Sequence, residues 1–188
     1  MKICAMDLET TSLSALRGRV LCGSIFPIYN APPHAIKKKA KAITFRGDTK
    51  KYREEDILDD GPLLTALRKE LEKYHMIVTW NGKLFDVPFM NARLAKHGLP
   101  LYQPQMHLDL MYYAAGCSLR VGSRKLVNVQ KYFGLNTAKT EISWEVWQRA
   151  ASMNRNDMNE VVTHCEADVE VLAEAYHKMI PIVRNIHR

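Results

Sequence analysis

The chain has 188 residues, 47% hydrophobic and 25% charged, with only 9 Gly and 8 Pro. That suffices for one packed α/β-sized domain over residues 1–188 and excludes disordered, collagen-like and disulfide-scaffold proteins. The net charge of +7 sits in one window: residues 37–53 hold eight basic side chains against one acid, Asp48. The remainder is neutral, which excludes a uniformly basic nucleic-acid coat.

Lys2 to Leu8 reads as a first strand and Val20 to Ile28 as a second, with Arg17, Gly18 and Arg19 in the turn. Ala42 to Phe45 predicts a short third strand. Pro62 to Tyr74 predicts a helix, because Pro62 suits a first turn and Leu63, Leu67, Leu71 and Tyr74 form one stripe. Met76 to Trp80 is a continuous apolar run typical of a buried central strand, its Trp80 expected to pack rather than stack on a base. Phe85 to His97 predicts a second helix, stopped by Gly98 and Pro100. Gln105 to Leu108 is a fifth strand, and Asp109 is placed to cap the helix after it. The rest reads as helical: Lys125 to Phe133, a turn from Trp144 to Ala150 with Trp144 and Trp147 packed on the core, and a long helix from Asn156 to Ile186.

This order predicts an α/β domain with a mixed five-stranded sheet flanked by helices. The first three strands form a meander with the second antiparallel, and later strands run parallel to the first through helical crossovers. Ile3 to Met6 is too short for a signal-peptide core, and no apolar run reaches the roughly 18 residues of a membrane span. A cytoplasmic place without a membrane partner is expected. Cys4, Cys22, Cys117 and Cys165 form no C-x-x-C pair and read as buried thiols rather than zinc or redox motifs.

Four acids are out of keeping with their surroundings. Asp7 and Glu9 end the first strand two residues apart, so both point to one face. Such a pair is either a solvated strand end or two like charges awaiting a cation. Asp86 falls in the first turn of its helix, either to complement the dipole or to face a ligand beyond the strand ends. On the last helix Val161, Cys165, Leu172, Tyr176 and Met179 form an apolar stripe, opposite Glu166, Glu170 and Glu174. Asp168 lands near the centre of that stripe, with His164 one turn earlier at its edge. A carboxylate there needs a cation, a partner or a water-filled cleft. Convergence of four acids is what two divalent cations, Mg²⁺ or Mn²⁺, require. Two such ions about 3.5–4 Å apart stabilise both the attacking and the leaving oxygen of a phosphodiester, and a nearby His accepts the water's proton.

At these residues the sequence resembles the DEDD family of 3′→5′ exonucleases, on the ribonuclease-H-like fold. Asp7-Leu8-Glu9-Thr10-Thr11 is similar to the family's first motif, Asn81-Gly82-Lys83-Leu84-Phe85-Asp86 to its second, and His164-x-x-x-Asp168-Val169 to its third. The stretches 85–90 and 107–110 resemble a prokaryotic and viral branch of predicted exonucleases. The resemblance implies that Asp7, Glu9 and Asp168 hold the metal that activates water. Asp7 would bridge to a second metal that Asp86 reaches through water. It places Leu8 and Thr10 near the terminal nucleotide and Asn81 and Phe85 beside its neighbour, with Lys83 a candidate phosphate ligand. One departure stands out. The family has His five residues before the last Asp or Tyr four before it, whereas here His164 takes the tyrosine spacing and Thr163 the other. His164 is therefore a general base or a substitute for the water-orienting Tyr.

The expected activity is metal-dependent hydrolysis at the 3′ end of single-stranded nucleic acid, DNA favoured over RNA, by a chain that is either free-standing or supplied in trans to a polymerase or replication partner. The alternatives are a ribonuclease-H-like endonuclease, an exoribonuclease that trims RNA, and an inactive binding module. A phosphatase built on a D-x-D strand end lacks its second Asp. The fold also divides the basic window. Lys37, Lys38, Lys39 and Lys41 fall at the sheet end away from Glu9. Arg46, Lys50, Lys51 and Arg53 share its end, near Arg17 and Arg19, and are expected to guide the strand.

Overall fold

The computed structural model describes residues 1–29, 41–52, 58–116, 119–137 and 141–183. Its strands are Ile3–Thr10 (β1), Val20–Ile28 (β2), Ile43–Arg46 (β3), Met76–Thr79 (β4) and Met106–Asp109 (β5). Its helices are Gly61–Leu71 (α1), Asp86–Lys96 (α2), Leu110–Ala115 (α3), Leu126–Phe133 (α4), Trp144–Ala151 (α5) and Arg155–Met179 (α6). The sheet order is β3-β2-β1-β4-β5, with β2 antiparallel to both neighbours and β1, β4 and β5 parallel. This is the expected α/β architecture on a ribonuclease-H-like plan.

Alternation along β1 divides the core into two layers. Ile3 and Ala5 pack with Val169, Leu172 and Tyr176 of α6, while Cys4, Met6 and Leu8 pack with α1 and α2. A central parallel strand buried on both faces has no polar alternation to show, which is why β1 and β4 read as apolar runs. On α1, Leu63, Leu64, Leu67 and Leu71 are all fully buried, each contributing roughly 1.5–3 kcal/mol relative to exposure. Gly23 lets α1 approach, since a Cβ there would come within 2.8 Å of Leu67 and Leu8 side-chain carbons.

The element ends obey local chemistry. The Asn154 side chain accepts from the Asn156 and Asp157 amides and starts α6. The helix stops at Met179, short of the expected Ile186, and a 3₁₀ turn comes next at Ile180–Ile182. Pro181 lacks the amide that a continuing α-helix would bond one turn back; residues 184–188 lie outside the described residues. Asp60 ties three elements together. It accepts from the Val20 amide at 2.8 Å, from Arg93 Nη2 at 2.8 Å and pairs with His97 Nε2 at 2.7 Å, joining β2, the start of α1 and the end of α2.

Cys4, Cys22 and Cys165 are buried free thiols, and Cys117 lies outside the described residues. Among the described residues no helix is long and apolar enough to cross a membrane. Of the basic window, residues 37–39 and 53 lie outside the described residues. Arg46 faces Cys22, which itself faces Glu9, so the second half of the window does share the Glu9 end. Its guanidinium, however, is engaged by Asp48 at 2.7 Å and Asn159 at 2.8 Å, whereas Lys50 and Lys51 are in no salt bridge among the described residues.

Candidate active site

Strand parity decides which acids meet. Asp7 and Glu9 continue the side of Ile3 and Ala5, so they project toward α6. The α6 turn from His164 to Asp168 arrives at the same strand end. His164 Nε2 lies 3.7 Å from Glu9 Oε1 and 3.9 Å from Asp168 Oδ2, and all three side chains are largely buried. These separations exceed a direct hydrogen bond and suit a small bridging species such as water. Between them on the helix, the Cys165 thiol donates to the Asp7 carbonyl at 3.6 Å and to Asp7 Oδ2 at 3.7 Å. Burial above all, with Cys22, Asp7 and Glu9 adding to it, pushes this thiol well above its ordinary range. It stays a neutral donor that steadies Asp7.

Asp86 comes from the opposite layer. β1 outruns β4, their ladder ending at the Ala5–Val78 pair, and beyond it the Leu8 amide turns to Asp86 Oδ1 at 3.0 Å. Burial pushes the Asp86 carboxyl up to about 7; the bonds from the Leu8 amide and its own amide oppose the rise, and Asp109 adds to it. A neighbouring cation would return it to the charged form.

The turn that delivers Asp86 is held from behind. Asn81 has φ +65°, a left-handed geometry that Asn tolerates, and a Cβ on Gly82 would come within 2.5 Å of Thr79 Cβ. Asp109 Oδ1 accepts from the Asn81 amide at 2.9 Å and Oδ2 from the Lys83 amide at 3.0 Å. The same carboxylate accepts from the Met111 amide at 3.2 Å and so also caps α3, as the sequence predicts. Its second duty, shaping the Asn81–Lys83 turn, depends on β4 and β5 being neighbours and has no local signal.

The remaining predicted residues separate. Leu8 and Phe85 border a cleft of about 690 Å³ beside Glu9 and Thr10, and Thr10 Oγ1 donates to the Ser12 carbonyl at 2.9 Å. Lys83 lies in another cleft, of about 570 Å³, with Asn91 and His107. Trp147 packs against the cluster of Leu21, Met158 and Val161. Trp144 does not pack on the core as expected: it is 67% exposed and walls the cleft at Glu9. The reason is helical phase, since Val146 and Ala150 face the core and Trp144 stands about 200° round from Val146. Trp80 packs, as expected, and its indole N–H donates to the Arg124 carbonyl at 2.8 Å.

Donor atoms of Asp7, Glu9 and Cys165 lie within 4.8 Å of one another. With the thiol neutral, the carboxylate oxygens are what remain to bind an ion, and an oxygen donor set fits Mg²⁺ or Mn²⁺. A second group, Asp59, Asp60 and His97, is equally close, but the Arg93 guanidinium already pairs with Asp60 at 2.8 Å. Burial works to raise the Asp60 carboxyl, yet the Arg93, Val20 and His97 bonds outweigh it and hold it below its usual range. That group is a structural ion-pair knot.

A family model described as the RNase H superfamily matches residues 4–180. No curated protein matches the chain. Among solved structures, a family B DNA polymerase from the hyperthermophilic archaeon Pyrobaculum calidifontis is similar, with a TM-score of 0.69 and 16% identity over 96% of this chain. The match covers 25% of the polymerase, so the chain spans about a quarter of its length, and the likeness is one of fold. The family match runs from the start of β1 through the end of α6 and takes in every acid of the cluster, and on that ground the chain belongs to the RNase H superfamily.

Proposed function

We propose that this chain, a nuclease by its superfamily, removes nucleotides from the 3′ end of single-stranded nucleic acid, DNA in preference to RNA, with two divalent cations. The observation that carries this reading is the meeting of Asp7 and Glu9 on β1 with His164 and Asp168 on α6, and Asp86 behind Leu8. Asp7, Glu9 and Asp168 would hold one Mg²⁺ or Mn²⁺, and Asp7 with Asp86 the other. Bound cations supply an acidified water and stabilise charge on the attacking and leaving oxygens. His164 accepts the water's proton, directly or through a second water. The water oxygen bonds to phosphorus as the bond to the 3′-oxygen of the penultimate nucleotide breaks. That oxygen takes up a proton, and a nucleoside 5′-monophosphate leaves.

The test is degradation of 3′- and 5′-labelled single-stranded DNA and RNA with Mg²⁺ or Mn²⁺, with Asp7→Ala as control. Mononucleotide release from the 3′ label, faster on DNA and absent in the control, is expected. Cleavage of a circular strand at comparable rate would instead point to an endonuclease.

His164→Ala should lower kcat by about 10²-fold, the scale of a missing general base, while His164→Tyr retains more because a phenol can orient water at the same spacing. Full turnover by the alanine variant would remove His164 from the mechanism. Trp144 offers an exposed ring beside Glu9 on which an unpaired terminal base can stack. Trp144→Ala should raise KM for single strands about tenfold with little change in kcat, the scale of one base–aromatic stack. An unchanged KM would show that the ring does not meet the base.

A further inference from the structure

A cleft of about 420 Å³ joins Asp7 and Asp168 to Arg124, Lys125 and the first residues of α4. Its lining shares no residue with the cleft walled by Trp144. The contrast in chemistry is plain. The Trp144 cleft is mainly apolar and has no Lys or Arg in its wall, whereas this one carries two exposed cations in the same wall as the Asp7 and Asp168 carboxylates. We propose that Arg124 and Lys125 bind the phosphate one linkage upstream of the scissile bond, so that the uncut strand leaves the site through this cleft. The inference rests on the 3′-exonuclease reading and deepens it.

Charge supports this path. Cations held by the carboxylates would draw in the scissile phosphate, whereas the next phosphate would need a counter-charge of its own from the chain. Among the described residues neither Arg124 nor Lys125 is in a salt bridge, and Glu141, also in the cleft wall, leaves the pair with net positive charge. The backbone adds donors. Lys125 is the extended N-cap of α4 and makes no side-chain cap bond, so the Leu126 and Val127 amides at the cleft wall add the positive end of a helix.

Position is fixed as well as charge. The Trp80 indole holds the Arg124 carbonyl at 2.8 Å, and Trp80 directly follows β4 and precedes the Asn81 turn. On the other side Ser123 Oγ accepts from the Lys125 amide at 3.1 Å and from Asn128 Nδ2 at 2.7 Å. The basic pair is therefore tied to the strand end that delivers Asp86, which sets its spacing from the acids.

The experiment measures binding of a 5′-labelled single-stranded oligonucleotide, with Ca²⁺ replacing Mg²⁺, to the full chain and to Arg124→Gln/Lys125→Gln. Both side chains are exposed, so the variant should melt like the wild type. Its Kd should rise about tenfold at low salt, and the slope of log Kd against log salt should fall by about 0.7, the contribution of one neutralised phosphate of a single strand. A charge-matched Lys69→Gln/Lys96→Gln variant, on the opposite helical layer, should change neither. An oligonucleotide with a neutral methylphosphonate at the second linkage from the 3′ end should bind the wild type weakly and the variant no more weakly still. Additive losses, a loss that maps to another linkage, or an unchanged slope would overturn the proposal while leaving 3′-end degradation intact. Absence of 3′-end degradation by the wild type would overturn the exonuclease reading and this inference with it.

Discussion

Asp7→Asn is expected to lose about 10³-fold or more of its turnover, at least the scale of one preorganised transition-state interaction, while the chain stays folded. On the proposed reading Asp7 would be shared by both cations, so its charge would act on the attacking and the leaving side at once. The same charge works against folding when no cation is present, because Asp7, Glu9 and Asp168 crowd one strand end. An Asn at this position keeps an oxygen for the Cys165 thiol and removes part of the repulsion. In EDTA the variant should therefore melt no lower than the wild type, the stability–activity exchange expected of such a site. Adding Mg²⁺ or Mn²⁺ at about 100 times Kd should raise the wild-type Tm by roughly 5–10 °C, from about 2.7 kcal/mol of linkage. The variant should show little of that shift. Retained turnover, or an undiminished ion-dependent shift measured by calorimetry, would remove Asp7 from the metal site.

Asp60→Ala should cost about 3–5 kcal/mol and lower Tm by roughly 10 °C or more, a larger effect on stability than any substitution among the site carboxylates. Arg93 and Asp60 are only 2% and 3% exposed, and removing the carboxylate leaves a buried guanidinium without its partner. It also strips the Val20 amide and His97 of their acceptor. The pH dependence has a definite sign. The Asp60 carboxyl is held below its ordinary value in the fold, so its contribution is present above the unfolded pKa of about 3.9 and is lost as pH falls below it. The melting temperatures of wild type and variant should draw together in that acid range. Well below the melting temperature, kcat should match the wild type. A variant as stable as the wild type at neutral pH would show that the knot is dispensable.

Much of the candidate site was legible because its residues carry periodic misfits. Asp168 interrupts an apolar helical stripe, and Asp7 and Glu9 share a strand face, so local geometry alone marks them as costly unless used. Trp144 shows the limit of the same reasoning. The pair Trp144 and Trp147, three apart on a helical turn, read as core, yet α5 is only two turns long and its phase is set by Val146 and Ala150. Arg124 and Lys125 are a basic pair at a helix start, and nothing local to them records that α4 begins beside Asp7 and Asp168. Lys83, adjacent in sequence to the Asn81–Gly82 turn, faces away into a different cleft, which its position in a motif could not disclose.

Patterns within the chain were enough to define the strands, most of the helices and the parallel and antiparallel sense of the sheet, and to single out four acids as a candidate site. These rest on short-range periodicity, helix caps and the need for crossovers, all of which act within a few turns of chain. Other features exist only once the chain is folded: Cys165 steadies Asp7, Asp109 shapes the turn before Asp86, and Asp60 locks α2 to β2. Folding likewise puts Trp144 and Arg124 in separate clefts beside one set of carboxylates. These pairings join residues tens to more than a hundred positions apart. Their geometry depends on which strands become neighbours and which layer each helix covers, and no local pattern records that.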